Sequence, residues 1–311
     1  MAHAIAITLD HSRETPYGRR RDRSWRTWGR RTMTAILSLF SALLYGTADF
    51  SGGVATRRNS VFSVMLLSQA AGIVVALVAA PIVGPDAPRA ADLAWGLLAG
   101  FTGSIGLAAL YRGLALRKAA IVSPVSALVG AIVPASYGAI LGERPSELAL
   151  IGVALCLPAI FLLSYEKGET RDRAELRGSF LYGLVAGLGF GSFFIAISRT
   201  APGSGLWPLL ASRAASMAAT AAIVVLGKRR LSVAREDRPI ALFAGMADMG
   251  ANVCFLLASR SGLLVLVTLI ASLFPAPTVI LARVFQGQRI SGPRAAGIAL
   301  ALAGVALIGL R

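Results

Sequence analysis

Asp49 and Asp248 stand inside long apolar runs, the first late in its run and the second near the middle, with Asn252 one helical turn beyond Asp248. An Asp or Arg at the centre of a membrane-spanning helix costs about 2.5 to 3.5 kcal/mol on insertion scales, so such residues need a reason. A carboxylate in a low-dielectric cavity has its charged form disfavoured, which suits it to exchange a proton or to hold a cationic group. Asp248, and after it Asp49, are expected to face a cavity and serve in this way. The alternative is structural: Arg213, itself inside an apolar run, neutralises one aspartate, or Asp49 reaches the interface beside Arg57 and Arg58. Tyr45, Tyr111, Phe190, Phe194 and Phe274 offer rings that either stack on a substrate or pack. The candidate substrate- and proton-binding set is Asp49, Asp248, Asn252, Tyr45, Tyr111, Phe194 and Phe274. Gln69 is a further polar residue in an apolar run.

Other chemistries find little support. Glu143 has no partner acid or nucleophile nearby; it lies in a polar turn where Gly142 can end one helix and Ser146 can cap the next. Cys156 and Cys254 sit in apolar runs at no metal-binding spacing, and His3 and His11 lie in the N-terminal tail. No metal or cofactor is expected. His–Glu–His, Ser–Lys, Gly-x-Ser-x-Gly and paired-carboxylate arrangements are all missing at working spacing, which argues against an enzyme.

The elements that must position these residues are membrane helices. The 311-residue chain is 56% hydrophobic and 15% charged, with mean hydropathy +0.69. Soluble domains carry roughly 25% charge. Crossing a hydrocarbon core takes about 20 helical residues, and ten apolar runs of that order follow one another: 34–55, 62–83, 93–113, 119–141, 147–165, 178–199, 206–226, 239–259, 262–284 and 293–310. Richness in Gly, Ala and Leu favours helices over a barrel. The net charge of +16 comes mostly from the tail and the helix ends, with no basic face interleaved with aromatics, so nucleic acid is not an expected partner.

The chain repeats itself. At an offset of 145, Gly142-Glu143-Arg144 falls on Gly287-Gln288-Arg289, Ser146 on Ser291, Gly46 on Gly191 and Ala99-Gly100 on Ala244-Gly245. An odd number of spans per copy forces the second copy into the bilayer upside down, an arrangement many secondary transporters use. The fold class expected is an all-α membrane protein of ten transmembrane helices in two inverted five-helix repeats. Its divisions are a disordered Arg-rich tail (1–32), a first repeat (33–165), a charged linker (166–177) and a second repeat (178–311). Small-residue stripes such as Gly183, Gly187 and Gly191 predict close helix contacts. Pro124 and Pro134 in the fourth span, and Pro275 and Pro277 in the ninth, predict that both helices are interrupted and form the site.

These features together resemble the EamA-type drug/metabolite transporter superfamily. The resemblance rests on two five-helix copies, the Gly-Glu-Arg turn, and an opening Leu43-Leu44-Tyr45-Gly46-Thr47-Ala48-Asp49-Phe50 with Tyr45 where the family has Trp; the second copy departs further, with Phe190-Gly191 and Gln288. It implies a secondary carrier of a small organic metabolite, amino acid or drug-like solute. Such carriers use protons or exchange, work by alternating access, and sit as monomers or homodimers spanning the plasma (inner) membrane. The alternative is a non-transporting scaffold or receptor-like protein of the same fold. Orientation is contested. Hairpins after odd spans carry 17 Lys and Arg against four after even spans, which places the odd hairpins in the cytoplasm; the eight arginines between Arg13 and Arg31 pull the other way, as does the resemblance.

Overall fold

The computed structural model describes residues 16–83, 88–115, 119–164, 173–228 and 231–309, among which there is no strand. The helices are α1 (Pro16–Thr56), α2 (Val61–Val83), α3 (Ala90–Ala115), α4 (Ala119–Ile140), α5 (Glu147–Ser164), α6 (Arg173–Ser198), α7 (Trp207–Leu226), α8 (Arg238–Ser261), α9 (Leu264–Ala271), α10 (Pro275–Gln286) and α11 (Gly292–Gly309). Among the described residues nine stretches are long and apolar enough to cross a bilayer, the ninth being Leu264–Gln286, and the shorter Gly292–Ile308 follows. The 18 residues of α11 rise roughly 27 Å, close to the thickness of the hydrocarbon core.

Two expectations change. The tail predicted to be disordered is helical from Pro16, well before the apolar span that opens at Thr32. Arginine is a good helix former, and a helix already nucleated by its span propagates at low cost into such a sequence. Residues 1–15, Tyr165 and the linker's 166–172 lie outside the described residues. The fourth span is one continuous helix, while the ninth divides into α9 and α10 at Ser272–Phe274. Pro124 and Pro134 each remove a single backbone donor from separate turns of α4, whereas Pro275 and Pro277 remove two within one turn. Tighter bonds patch that gap, Phe274 N–H to the Ala271 carbonyl at 3.3 Å and Ala276 N–H to that of Leu273 at 2.9 Å.

Packing establishes the inversion. Gly183, Gly187 and Gly191 of α6 meet Val125, Val129 and Val133 of α4 in the same chain direction. Three crossings separate α1 from α4, so α6 enters the bilayer opposite to α1. Gly46 and Gly191 then do the same work in the two halves. A Cβ at Gly46 would lie 2.5 Å from the Phe274 carbonyl oxygen and 2.7 Å from Pro277 Cβ; one at Gly191 would lie 2.8 Å from Val133 Cβ. Likewise Gly100 of α3 presses on the Ser212 carbonyl of α7, and Gly245 of α8 on the Ser68 carbonyl of α2. Close approach of this kind is the main source of helix association in lipid.

The halves exchange partners. One bundle joins α1, α2, α8 and α9–α10, the other joins α3, α4, α6 and α7, and α5 packs on α11. Both repeated turns close through a left-handed glycine, Gly142 at φ +85° and Gly287 at φ +67°. Ser146 Oγ accepts the Ala149 N–H at 3.3 Å, capping α5 as expected.

Candidate functional site

α1 and α8 run antiparallel and bring their polar residues face to face between the two bundles. The Tyr45 hydroxyl donates to Asn252 Oδ1 at 3.0 Å. Asn252 Nδ2 donates to the Asp248 carbonyl at 2.6 Å and to its carboxylate at 3.3 Å. That carboxylate pairs with the Arg213 guanidinium of α7. A Cβ at Gly72 of α2 would sit 3.3 Å from Arg213 Nε, so the glycine leaves room for the guanidinium. Asp49, one turn beyond Tyr45, lies within Coulombic range of Asp248. Around the polar chain stands an aromatic cluster: Tyr45 lies edge-on to Phe194 at 6.2 Å and to Phe274 at 6.4 Å, and Phe194 meets Phe255 at 4.4 Å.

Six of the seven sequence-predicted residues therefore converge: Tyr45, Asp49, Asp248, Asn252, Phe194 and Phe274. The seventh, Tyr111, belongs to α3 with its side chain outside the described residues. Phe190 packs instead on Gly106 of α3. Gln69 is a clamp between α2 and α7, donating to Ser216 Oγ at 2.9 Å and Thr220 Oγ1 at 3.2 Å. The Arg213–Asp248 pair, set out above as the structural alternative, is formed; it does not remove Asp248 from access, because 35% of that side chain is exposed against 14% for Arg213. Arg213 pairs with Asp248, and Asp49 stands outside that pair.

The two membrane faces differ in their described contacts. Tyr45, Asp49, Gly52 and Gly53 form one stripe on α1. Asp49 is exposed, and no atom lies within 4 Å of a Cβ built on Gly52 or Gly53. The stripe runs toward the face where α1 and α7 end and α8 and α11 begin, which holds Arg57, Arg58, Lys228, Arg235, Arg238 and Arg289. This is the basic face.

At the opposite face two ties join the bundles. Arg260 at the end of α8 donates to the Ala201 carbonyl at 3.0 Å and Thr200 Oγ1 at 3.3 Å. Glu143 accepts the Leu264 and Val265 N–H groups at 2.8 and 2.9 Å, capping α9. Its role is structural, as its turn position implies, but the helix it caps belongs to the other half of the chain. The positions 145 residues away hold Ala115 and Gln288, so neither the arginine nor the carboxylate recurs at its repeat-related position.

Sequence reasoning overlooked a second pair of contacts. Asp92 at the start of α3 accepts the Ala201 N–H at 2.9 Å and the Ser204 hydroxyl. Asp237, before α8, accepts from Asn59 Nδ2 at 2.6 Å. Asp92 and Asp237 are 145 residues apart, as are Asn59 and Ser204, so the offset already visible in the glycines marks these partners too.

Comparison with known proteins agrees with this architecture. The EamA-like transporter family matches twice, over residues 32–165 and 174–310. Among curated proteins no relative matches. One solved structure, titled only "Crystal structure of protein", superposes with a TM-score of 0.72 at 18% identity, over 88% of this chain and 94% of that one; at such identity the likeness is one of fold. The two matched segments coincide with two inverted halves meeting around a polar cluster, and the chain belongs to the EamA-like transporter family, as a multi-pass membrane transporter.

Proposed function

We propose that the protein is a secondary carrier of the plasma membrane for a small organic solute bearing a basic nitrogen, with Asp49 exchanging the coupling proton. The observation that carries this reading is the chain Tyr45–Asn252–Asp248–Arg213, placed mid-span between the bundles with Asp49 accessible beside it. Polar groups this deep in the bilayer mark solute or proton pathways. In its ionised form Asp49 attracts a cation, and the aromatic cluster of Tyr45, Phe194 and Phe274 stands one helical turn away. Arg213 can release part of its hold on Asp248 to a solute carboxylate, which extends the substrate class to amino acids. The unequal ties at the two faces support alternating access: breaking those of Arg260 and Glu143 frees the bundles to rock about the site.

Purified protein in proteoliposomes tests this. A panel of amines, amino acids and cationic drugs is first screened for ligands that raise the melting temperature, since ligand binding to the native state stabilises it. With such a ligand, Asp49→Asn is expected to abolish accumulation driven by a pH gradient while solute counterflow persists. Asp248→Asn is expected to abolish both. Gradient-driven accumulation unchanged in Asp49→Asn overturns the proton role, and a filled interior that binds none of the panel favours the scaffold alternative.

A further inference from the structure

Gln69 of α2 is only half used by its clamp on α7. It is buried, with 5% of its surface exposed, and one atom, Nε2, makes both bonds, to Ser216 Oγ and Thr220 Oγ1. The neighbours fix which way round the amide lies. The Thr220 hydroxyl spends its proton on the Ser216 carbonyl at 2.9 Å, so its oxygen can only accept from Gln69, and Nε2 must face it. Oε1 is thereby left over, and among the described residues it has no hydrogen-bond partner. A buried carbonyl without a donor is costly, so one that persists calls for a reason.

The nearby donor is Arg213. Gly72 stands three residues after Gln69 on the same face of α2, and a Cβ there would lie 3.3 Å from Arg213 Nε and 3.5 Å from its Cζ. Ser216, which Gln69 holds, stands three residues after Arg213 on α7. The guanidinium and the spare carbonyl oxygen therefore belong to adjacent turns of one helix contact. One turn is about 5.4 Å, a distance the flexible stem of arginine covers by changing rotamer. We propose that Gln69 is a positioning residue whose Oε1 receives Arg213 when the guanidinium leaves Asp248.

The consequence falls on Asp248. Its side chain is 35% exposed against 14% for Arg213, so the carboxylate is the member of the pair that a solute reaches. Taking it alone would strand a mostly buried guanidinium, which is strongly unfavourable. With Gln69 as a second station, Arg213 stays hydrogen-bonded while Asp248 accepts a basic nitrogen. That use of the exchange rests on the carrier reading; the two stations of Arg213 do not.

The test is a mutant cycle read as the melting temperature of the full chain in neutral detergent, with no solute added. Asp248→Asn stands for the released state, since it removes the charge that holds Arg213. Gln69→Met keeps an unbranched side chain of good helix preference and removes the amide. In the parent it loses only the clamp on α7. In Asp248→Asn it is expected to lose the bond to Arg213 as well, and to lower the melting temperature by about 3–6 °C more than in the parent. That excess is expected to vanish in Asp248→Asn/Arg213→Gln. Gln69→Glu, which puts a carboxylate at the second station, is expected to raise the melting temperature of Asp248→Asn. An equal cost of Gln69→Met in all three backgrounds overturns the proposal, because Gln69 then only holds α2 on α7. The yield of monodisperse protein gives the same comparison for a variant too unstable to melt. Since no solute is used, a failed cycle leaves the carrier reading standing, and a panel that yields no ligand leaves the result of the cycle unchanged.

Discussion

Tyr45 joins two kinds of interaction in one side chain, a hydrogen bond to Asn252 and edge contacts to Phe194 and Phe274. These can be separated. Tyr45→Phe keeps the ring and loses the hydroxyl, which leaves Asn252 Oδ1 without its donor and is expected to destabilise by about 0.5–1.5 kcal/mol. Tyr45→Ala also removes the ring contacts, for a total of about 3–5 kcal/mol in a well-packed surrounding. Thermal melting in detergent reads both, and equal losses would show that the hydroxyl, not the ring, is the important part. Asp248 and Arg213 couple in the same way. Asp248→Asn leaves a half-buried guanidinium unpaired, and losses of this kind reach about 3–5 kcal/mol for fully buried pairs. Because a third of the Asp248 side chain is accessible, the expected loss is smaller. The double variant Asp248→Asn/Arg213→Gln is expected to recover most of the stability and none of the transport. The chemistry of this site was legible in the sequence, since charged residues inside apolar runs stand out. Which aspartate takes the arginine was not, because the partners lie on α7 and α8 and their pairing depends on how those helices face.

At the scale of elements, the closed face depends on two ends of helices. Glu143 caps α9, and removing a cap costs about 0.5–2 kcal/mol. Arg260 ties α8 to the turn after α6. With both removed, as Glu143→Ala/Arg260→Ala, the far face is expected to open and the basic face to close. Reporter cysteines read this after Cys156 and Cys254 are replaced by alanine. Thr34→Cys, buried near Gly262 in the closed arrangement, should gain reactivity toward a charged maleimide, and Gly52→Cys should lose it. Unchanged labelling at both positions means these contacts hold helices in place without gating. Proline content pointed to two broken helices and one was found. The difference lay in spacing, since two prolines within one turn interrupt a helix that separated prolines only bend.

Across the whole molecule, the same offset that aligns the sequence also aligns the contacts. Gly46 and Gly191 each seat a helix of the opposite half, and Asp92 and Asp237 each hold a turn of the opposite half. Gly245→Leu forces a side chain into the Ser68 backbone and is expected to cost at least the 1–3 kcal/mol typical of overpacking, roughly, and to reduce the yield of folded protein. Fluorescence size-exclusion profiles would show it; a normal profile would mean that α2 and α8 part easily. Hairpin charge places the basic face in the cytoplasm, so a chain begun at Met33 is expected to carry an active alkaline phosphatase fused at its C-terminus. An inactive fusion would show that hairpin charge does not decide the orientation.

From the residues alone came the helical class, the number of crossings, the twofold repetition and its inversion, because hydropathy over about 20 residues and the parity of spans are properties of the chain taken in order. Asp49, Asp248 and Asn252 stood out as candidates through the energetic penalty of polarity in lipid, and Tyr45, Phe194 and Phe274 only as rings able to stack or pack. Only the folded chain decided that the two halves trade helices, that Glu143 serves a helix of the other half, and that Arg260 ties α8 to the turn after α6. Each of these is a contact between residues far apart in sequence, set by side-chain packing, and no local pattern of residue types carries that information.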